Sequence, residues 1–463
     1  MLALLPLLLW AIIPILPTHD DWASTTKPDF SPFFIKEHFL FYGYHWRPFD
    51  TWIGYIAGRN PQLLFPAFHH LCVVVGHTLC SCIVFQILTT LGFNRPASNI
   101  ATLVFYVTPA AMATLFAVDS QNQTFALLWG MMAFLVYIKI KKWKYIVWIP
   151  LIYIATLSKE NGLMWALICP ILAYGFQFIS MRTLRRDLLI AMTVMAGYAL
   201  AILLLPKDII IHPEYVPEEF KMVKNFVKCL FTLFITIDYD YLLHQPHRNL
   251  ILAALSLLLT IPFFYMVFLR HAKLFIERSM LCVLLCLLIA VGPHLLTVFS
   301  MMHAYAALPF VSIIIARMVN SYGQQDKKKF TIAFCLFLTA AIGIDVHLLH
   351  QSVKSGLVGK QMAQEAIRKT GHPVERVFVI IVEDDYPKLS SFCVIPSDAF
   401  GWGDAAKHET NYQWPKYISD TILVRSEKAL QEAESLAERT LLTDSTMDCI
   451  WIVNHQQVEV IRK

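Results

Sequence analysis

Long apolar runs separated by short polar breaks fill the chain up to about residue 350. A helix needs about 20 apolar residues to cross the hydrocarbon core of a bilayer. Eleven runs read as candidate spans: 1–17, 66–92, 99–117, 124–140, 145–158, 162–179, 188–206, 249–269, 279–299, 304–320 and 330–349. The first is short. It lacks a basic leading region and an Ala-x-Ala cleavage site, so it reads as a retained helix rather than a signal peptide. The fifth, Tyr145 to Ser158, has only 14 residues, about 21 Å of helix. Its outer end, Ser158-Lys159-Glu160-Asn161, is expected below the membrane surface in a wet recess. The segment 207–248 mixes Pro, Asp and Glu with the apolar stretch Val227 to Ile237, which is too short to span. It reads as an interfacial or a re-entrant helix.

From about Lys354 charge returns and the long runs stop. Arg376 to Glu383 reads as a buried strand, Cys449 to Val453 as a second, and Val458 to Ile461 as its hairpin partner. Ser426 to Leu442 reads as a helix capped by the serine. The expected division is a membrane domain over 1–350 and an α/β domain over 351–463, long enough for a small core. The fold class is thus a polytopic α-helical membrane protein of about 11 transmembrane helices with a small C-terminal extracytoplasmic α/β domain. No internal repeat or low-complexity segment interrupts it.

Composition agrees with that pattern. Hydrophobic residues make up 57% of the chain, charged residues 15%, and the mean hydropathy is +0.55; soluble domains carry about 25% charge. The net charge of +5 is dispersed over membrane flanks, which argues against a nucleic-acid partner. Basic residues collect in alternate loops, at Arg95, Lys139 to Lys144, Arg182 to Arg186, Arg270 to Arg278 and Lys327 to Lys329. The positive-inside rule assigns these to the cytoplasm. The other loops, with Asp20-Asp21, Asp119, Lys159-Glu160, 207–248 and Met301 to His303, then face outward, as does the tail. Of ten cysteines, most lie in apolar runs as buried thiols; Cys393 and Cys449 sit in the tail, where an extracytoplasmic location permits a bond.

Several polar groups stand where a membrane makes them costly. Asp20 and Asp21 follow the first run. Adjacent carboxylates push their pKa values apart, which suits a general base or a divalent-metal pair; a solvated helix cap is the plainer alternative. Arg47, in Tyr44-His45-Trp46-Arg47-Pro48-Phe49, is a planar cation suited to phosphate or carboxylate, or an interfacial anchor. Lys159-Glu160 reads as a recessed ion pair or an anion contact. Asp119 ends the third span, His303 and Tyr305 open the tenth, and His45 lies beside Arg47. His70 and His77 share a helical face, but a metal needs more converging ligands. Asp345, His347 and His350 read as boundary residues.

The order of these pieces resembles the C-type glycosyltransferase superfamily of integral membrane enzymes. That superfamily includes protein O-mannosyltransferases, their tetratricopeptide-bearing relatives and lipid A aminoarabinose transferases. An acidic pair follows span one, Arg47-Pro48 lies later in the same loop, Lys159-Glu160-Asn161-Gly162 follows span five, and His303-Ala304-Tyr305 precedes Leu308-Pro309. The resemblance covers roughly residues 1–320, and the Ser158 to Gly162 and Arg47-Pro48 pieces look closest to the tetratricopeptide-bearing branch. It implies that Asp20 is the catalytic acidic residue with Asp21 beside it. It further implies that Arg47 contacts a donor phosphate and that the donor is a sugar on polyprenyl phosphate, transferred with inversion. Lys159, His303 and Tyr305 are further donor-phosphate candidates; His45, Asp119 and Glu160 are cavity candidates. The family's late-span motif has Arg-Tyr where this chain has His303-Ala304-Tyr305, and the tail carries no tetratricopeptide pattern.

The expected function is therefore a glycosyltransferase of a bacterial inner membrane, with its site and tail on the periplasmic side. It would move a sugar from a polyprenyl-phosphate donor to a glycan, lipid or protein acceptor. A transporter or flippase of lipid-linked sugars shares the arginine but needs no base; an envelope assembly protein with a binding tail is a third class. The orientation is testable by labelling single engineered cysteines with an impermeant thiol reagent. Positions in the helix near Glu434 are expected to react from the outside and positions near Lys142 from the cytoplasm; the reverse pattern overturns the topology.

Overall fold

The computed structural model describes residues 4–18, 21–22, 47–118, 120–204, 220–234, 247–296, 299–383, 399–411, 413–424 and 428–462. The membrane body consists of α1 (Leu5–Ile12), α2 (Pro48–Gly58), α3 (Ala67–Thr90), α4 (Arg95–Val107), α5 (Pro109–Phe116), α6 (Gln121–Lys139) and α7 (Lys144–Ser158). It continues through α8 (Trp165–Gly175), α9 (Met181–Leu204), α10 (Lys221–Phe234), α11 (His247–Phe264), α12 (Arg278–Leu295), α13 (Leu308–Ser321) and α14 (Gln324–Thr370). The chain is a polytopic helical membrane protein.

Each of the eleven apolar runs carries helix, but the runs are not equivalent. Among the described residues five helical stretches are long and apolar enough to cross a membrane, or six when α4 and α5 count as one span bent by 44°. The bend has a local cause. Pro109 disfavours helical backbone at Thr108, which stays extended and caps α5 with its own hydroxyl. In α1 only 8 residues are helical, because Pro14 and Pro17 follow at once. In α6 the first turn, Gln121 to Thr124, is polar yet buried, which lowers the hydropathy of an otherwise long helix.

Residues 227–234 of the Val227 to Ile237 stretch lie in α10, Lys221–Phe234; the remaining three lie outside the described residues. At one end Asn225 Nδ2 donates to the Leu295 carbonyl at 2.9 Å, at the end of α12. At the other, Phe234 packs against Phe268 at 4.4 Å between ring centroids, two residues before Arg270.

The last run does not stop near 350. Helix α14 is continuous for 47 residues, about 70 Å, more than twice the hydrocarbon thickness. Returning charge solvates a helix without breaking it. The breaker is Gly371, whose φ of 72° ends α14 in a left-handed cap.

The tail adds β1 (Arg376–Glu383), α15 (Asp404–Glu409), β2 (Tyr417–Val424), α16 (Ala429–Thr443), β3 (Cys449–Asn454) and β4 (Gln457–Arg462). The sheet order is β2-β1-β3-β4. β1 pairs parallel to both β2 and β3, and β3-β4 is the expected antiparallel hairpin. β1 is buried on both faces: Val377, Val379 and Ile381 face one apolar cluster with α14, while Ile380 and Val382 pack against Ala429, Ala433 and Ala437 of α16. That explains its unbroken apolar run. β2 was not expected from the sequence. α16 begins at Ala429 after Lys428, without a side-chain cap, so the proposed serine cap is corrected; Ser426 lies outside the described residues. Cys449 is buried in β3, and its possible partner Cys393 also lies outside them.

Ion pairs join neighbouring segments among the basic loops. On the basic side, Arg270 bonds Asp326 at 2.7 Å and Arg317 bonds Glu277 at 2.8 Å. Asp187, wholly buried, accepts from Lys144 Nζ at 2.7 Å, Tyr145 at 2.6 Å, Arg186 Nε at 3.0 Å, and Tyr137. This knot ties α6, α7 and α9 at one end. Asp187→Ala leaves the nearly buried Lys144 ammonium uncompensated, and is expected to cost about 3 kcal/mol, read as a lower Tm in detergent. Asp187→Leu combined with Lys144→Met is expected to regain most of that loss. An unchanged Tm for Asp187→Ala overturns the assignment.

Candidate functional site

The candidate site grows from the turn after α7. Lys159 is extended, with φ −159° and ψ 143°, and residues Glu160–Met164 form a short 3-10 turn leading into α8. Gly162 lies directly on the last turns of α7; a Cβ there would overlap the Ala155 carbonyl group. Only glycine lets the two backbones approach so closely. The tight reversal sends three consecutive polar side chains to three different elements.

Glu160 meets Arg47. Arg47 Nε donates to Oε1 at 3.1 Å and Nη2 to Oε2 at 2.8 Å, a bidentate fork. Arg47 is the residue before α2, and Pro48 occupies the first turn of that helix, which confines Arg47 to non-helical backbone. Lys159 Nζ donates to Asn122 Oδ1 at 3.3 Å, in the buried polar turn of α6. Asn161 Nδ2 lies 3.0 Å from Nε2 of His294, in the last turn of α12 just after Pro293. The amide donating there makes that ring nitrogen the acceptor.

The His294 ring stacks on His303, with centroids 4.5 Å apart and planes 15° from parallel. His303 Nδ1 accepts the Ser300 backbone N–H at 3.0 Å, half of a capping box that starts the 3-10 turn Met301–Ala307. Lys159, Glu160 and Arg47 all act electrostatically on His294, and His294 and Lys159 on His303. Arg47, Lys159, Glu160 and His303 are therefore brought into one neighbourhood. Among the described residues, this neighbourhood holds two cations, Arg47 and Lys159, and the carboxylate of Glu160. Asn161 and Gln123 also reach a small cavity of about 10 Å³ beside Gly162 and Trp165.

The other candidates stand elsewhere or outside the description. Tyr305 Oη lies 2.8 Å from His77 Nδ1, fully buried among Phe105 and Tyr106, a set of partners separate from His303's. Asp21 is 5% exposed; its carboxylate accepts the Thr18 N–H at 3.2 Å. Asp20, His45 and Asp119 lie outside the described residues. His70 Nε2 meets the Ile15 carbonyl at 3.0 Å. Among the described residues, no group of three or more His, Cys, Asp or Glu side chains is arranged to hold a metal ion.

Sequence reasoning missed His294 and Asn122. His294 has a faint signal, an isolated His after proline at the end of an apolar run; Asn122 follows the acidic end of the third span within Ser120 to Thr124. The Arg47–Glu160 pair is testable by a double-mutant cycle. The side chains are 21% and 41% exposed, so solvent screening limits the coupling to about 1 kcal/mol. Thermal unfolding of Arg47→Ala, Glu160→Ala and the double variant should give that coupling, reduced by salt. Strict additivity overturns the pair.

No protein-family model matches the chain, and no curated protein matches it. Among solved structures, the fold is similar to the crystal structure of ArnT from Cupriavidus metallidurans bound to undecaprenyl phosphate. The likeness has a TM-score of 0.49 at 10% sequence identity, over 99% of this chain and 96% of that one.

Proposed function

We propose that this protein is a membrane glycosyltransferase that moves a sugar from a polyprenyl-phosphate donor to an acceptor hydroxyl on the extracytoplasmic face, with inversion. The observation that carries this reading is the convergence of Arg47, Lys159, Glu160, Asn161, His294 and His303 on one side of the helical body. Arg47 and Lys159 supply the kind of cationic donors that stabilise a phosphate leaving group. The same reading assigns eleven crossings to the membrane body of residues 1–350 and an inner-membrane location to the whole. It puts the site and the α/β domain of residues 351–463 on the periplasmic side.

A second feature supports a lipid-linked donor. A groove of about 520 Å³ runs between α10, α11, α12 and α13, lined by Phe226, Leu230, Phe234, Leu284, Leu287 and Ile314. Leu287 lies seven residues before His294 on α12, about 10 Å along the helix and on the same face. An apolar chain in this groove would bring its phosphate head toward the histidine pair.

In the proposed reaction, the acceptor oxygen attacks the anomeric carbon opposite the phosphate. The bond from that carbon to the phosphate oxygen breaks, and polyprenyl phosphate leaves. Arg47 and Lys159 stabilise the charge on that phosphate, while Glu160 orients the Arg47 fork. Asp20, with Asp21 beside it, takes the acceptor proton.

Asp20→Asn is expected to lower transfer by ~10²- to 10⁴-fold while donor-lipid binding persists. Arg47→Ala is expected to weaken donor binding by roughly 10- to 150-fold. The assay is transfer from a panel of synthetic polyprenyl-phosphate sugars, with lipid binding measured separately. Near-normal turnover of Asp20→Asn removes the base assignment. Sugar-lipid crossing vesicles without any glycosidic product would replace this reading by the flippase.

A further inference from the structure

The chain just after the proposed base pair is held by the C-terminal domain. Asp21 and Trp22 form a short turn, in which Asp21 N–H donates to the Thr18 carbonyl at 3.0 Å and the Asp21 carboxylate accepts the Thr18 N–H. Trp22 is 4% exposed, and its Nε1 donates to the Ala399 carbonyl, 377 residues away, at 3.3 Å. The indole packs beside Phe65 at 6.2 Å and His408 at 5.5 Å between ring centroids. Phe65 in turn meets His408 at 5.4 Å and, edge-on, His69 at 5.3 Å.

Two glycines of α14 draw these segments together. A Cβ on Gly359 would collide with the Ala399 carbonyl oxygen, the same oxygen that accepts from Trp22. A Cβ on Gly356 would stand 2.6 Å from Leu16 Cβ and 2.8 Å from the Leu16 carbonyl oxygen. Leu16 and Trp22 flank the acidic pair. The chain is thus held at Leu16 by α14 and at Trp22 by the 399–408 segment of the tail, on either side of the acidic pair in sequence. Trp22, Phe65 and Phe400 belong to the same buried apolar cluster as Val379 and Trp451 of the sheet.

We propose that Trp22 is a positioning residue, and that the C-terminal domain acts through it to hold the acidic pair in its working geometry. The domain is then part of the transfer machinery and not only an appended binding module. This inference rests on the reading of Asp20 and Asp21 as the proton-accepting pair. An indole locked between two domains costs little entropy to keep still, since its anchor lies in a buried core. A misplacement of about 1 Å at a reacting group is enough to lose on the order of 10²-fold in rate.

The test uses the full-length protein in detergent or nanodiscs and two independent readouts. Hydrogen–deuterium exchange of residues 15–22 reports the clamp without any substrate. Transfer from the panel of polyprenyl-phosphate sugars gives kcat, KM and the pH profile. Trp22→Ala and Gly359→Leu are expected to speed exchange in 15–22 and to lower kcat by 10- to 100-fold. KM, donor-lipid binding and the shape of the pH profile should stay near wild type. Trp22→Phe keeps the ring but loses the Nε1 donor, and should fall between, so that a misfolded Trp22→Ala protein does not end the test. Wild-type exchange in Trp22→Phe and Gly359→Leu overturns the clamp. Faster exchange with unchanged kcat overturns the positioning role. Asp20→Asn and Asp21→Asn proteins that both retain full turnover overturn the underlying base reading, whatever the exchange data show.

Discussion

A charged group inside a low-dielectric body must find a partner or leave, and this requirement organises the protein. Asp187 is wholly buried and collects donors from three helices. Arg317 and Arg270 each take a carboxylate from another segment on the same side. At the opposite end, the Lys159-Glu160-Asn161 turn sends each side chain to a different partner. The first kind of cluster is saturated: a carboxylate surrounded by donors has nothing left to bind. The second is partly open to solvent at Glu160. That difference in exposure separates the buried knot from the cluster at the end of α7.

The short α7 and the close seat of Gly162 on Ala155 make the second cluster possible. A longer helix would carry Lys159 and Glu160 to the surface, where water would solvate them. Ending it early and turning back within one 3-10 turn keeps them level with the ends of α6 and α12. Pro293 and Pro48 contribute similarly, each shaping backbone next to a polar residue of the cluster, His294 and Arg47.

The tail is joined to the body in two ways, and they differ in physical character. Helix α14 passes from one to the other without a break, so the connection is a rod rather than a linker. Along that rod, Gly356 and Gly359 remove side chains where two other segments cross it. Apolar packing from Trp22 and Phe65 through to Trp451 then continues across the junction. An α/β domain held in this way is not free to swing on a tether.

Hydropathy in the sequence determined the class of the protein and the placement of its helical runs. These follow from local composition, because the bilayer acts on each residue separately. The strands β1, β3 and β4 were legible for a related reason: buried runs and a hairpin are short-range patterns. β2 was not, since its pairing partner β1 lies about 40 residues away and its own sequence mixes Ser419, Asp420 and Thr421 with apolar residues. Arg47, Lys159, Glu160 and His303 were recognisable as polar groups in costly positions. Their partners were not: Asn122 and His294 come from distant helices, and neither a polar turn nor an isolated His in an apolar run has a local signature of what it will face. The separation of Tyr305 from His303 and the docking of Trp22 on Ala399 likewise arise only when the helices pack. Which side chains meet is decided by three-dimensional contact between segments remote in sequence, and that is the part only the tertiary structure settles.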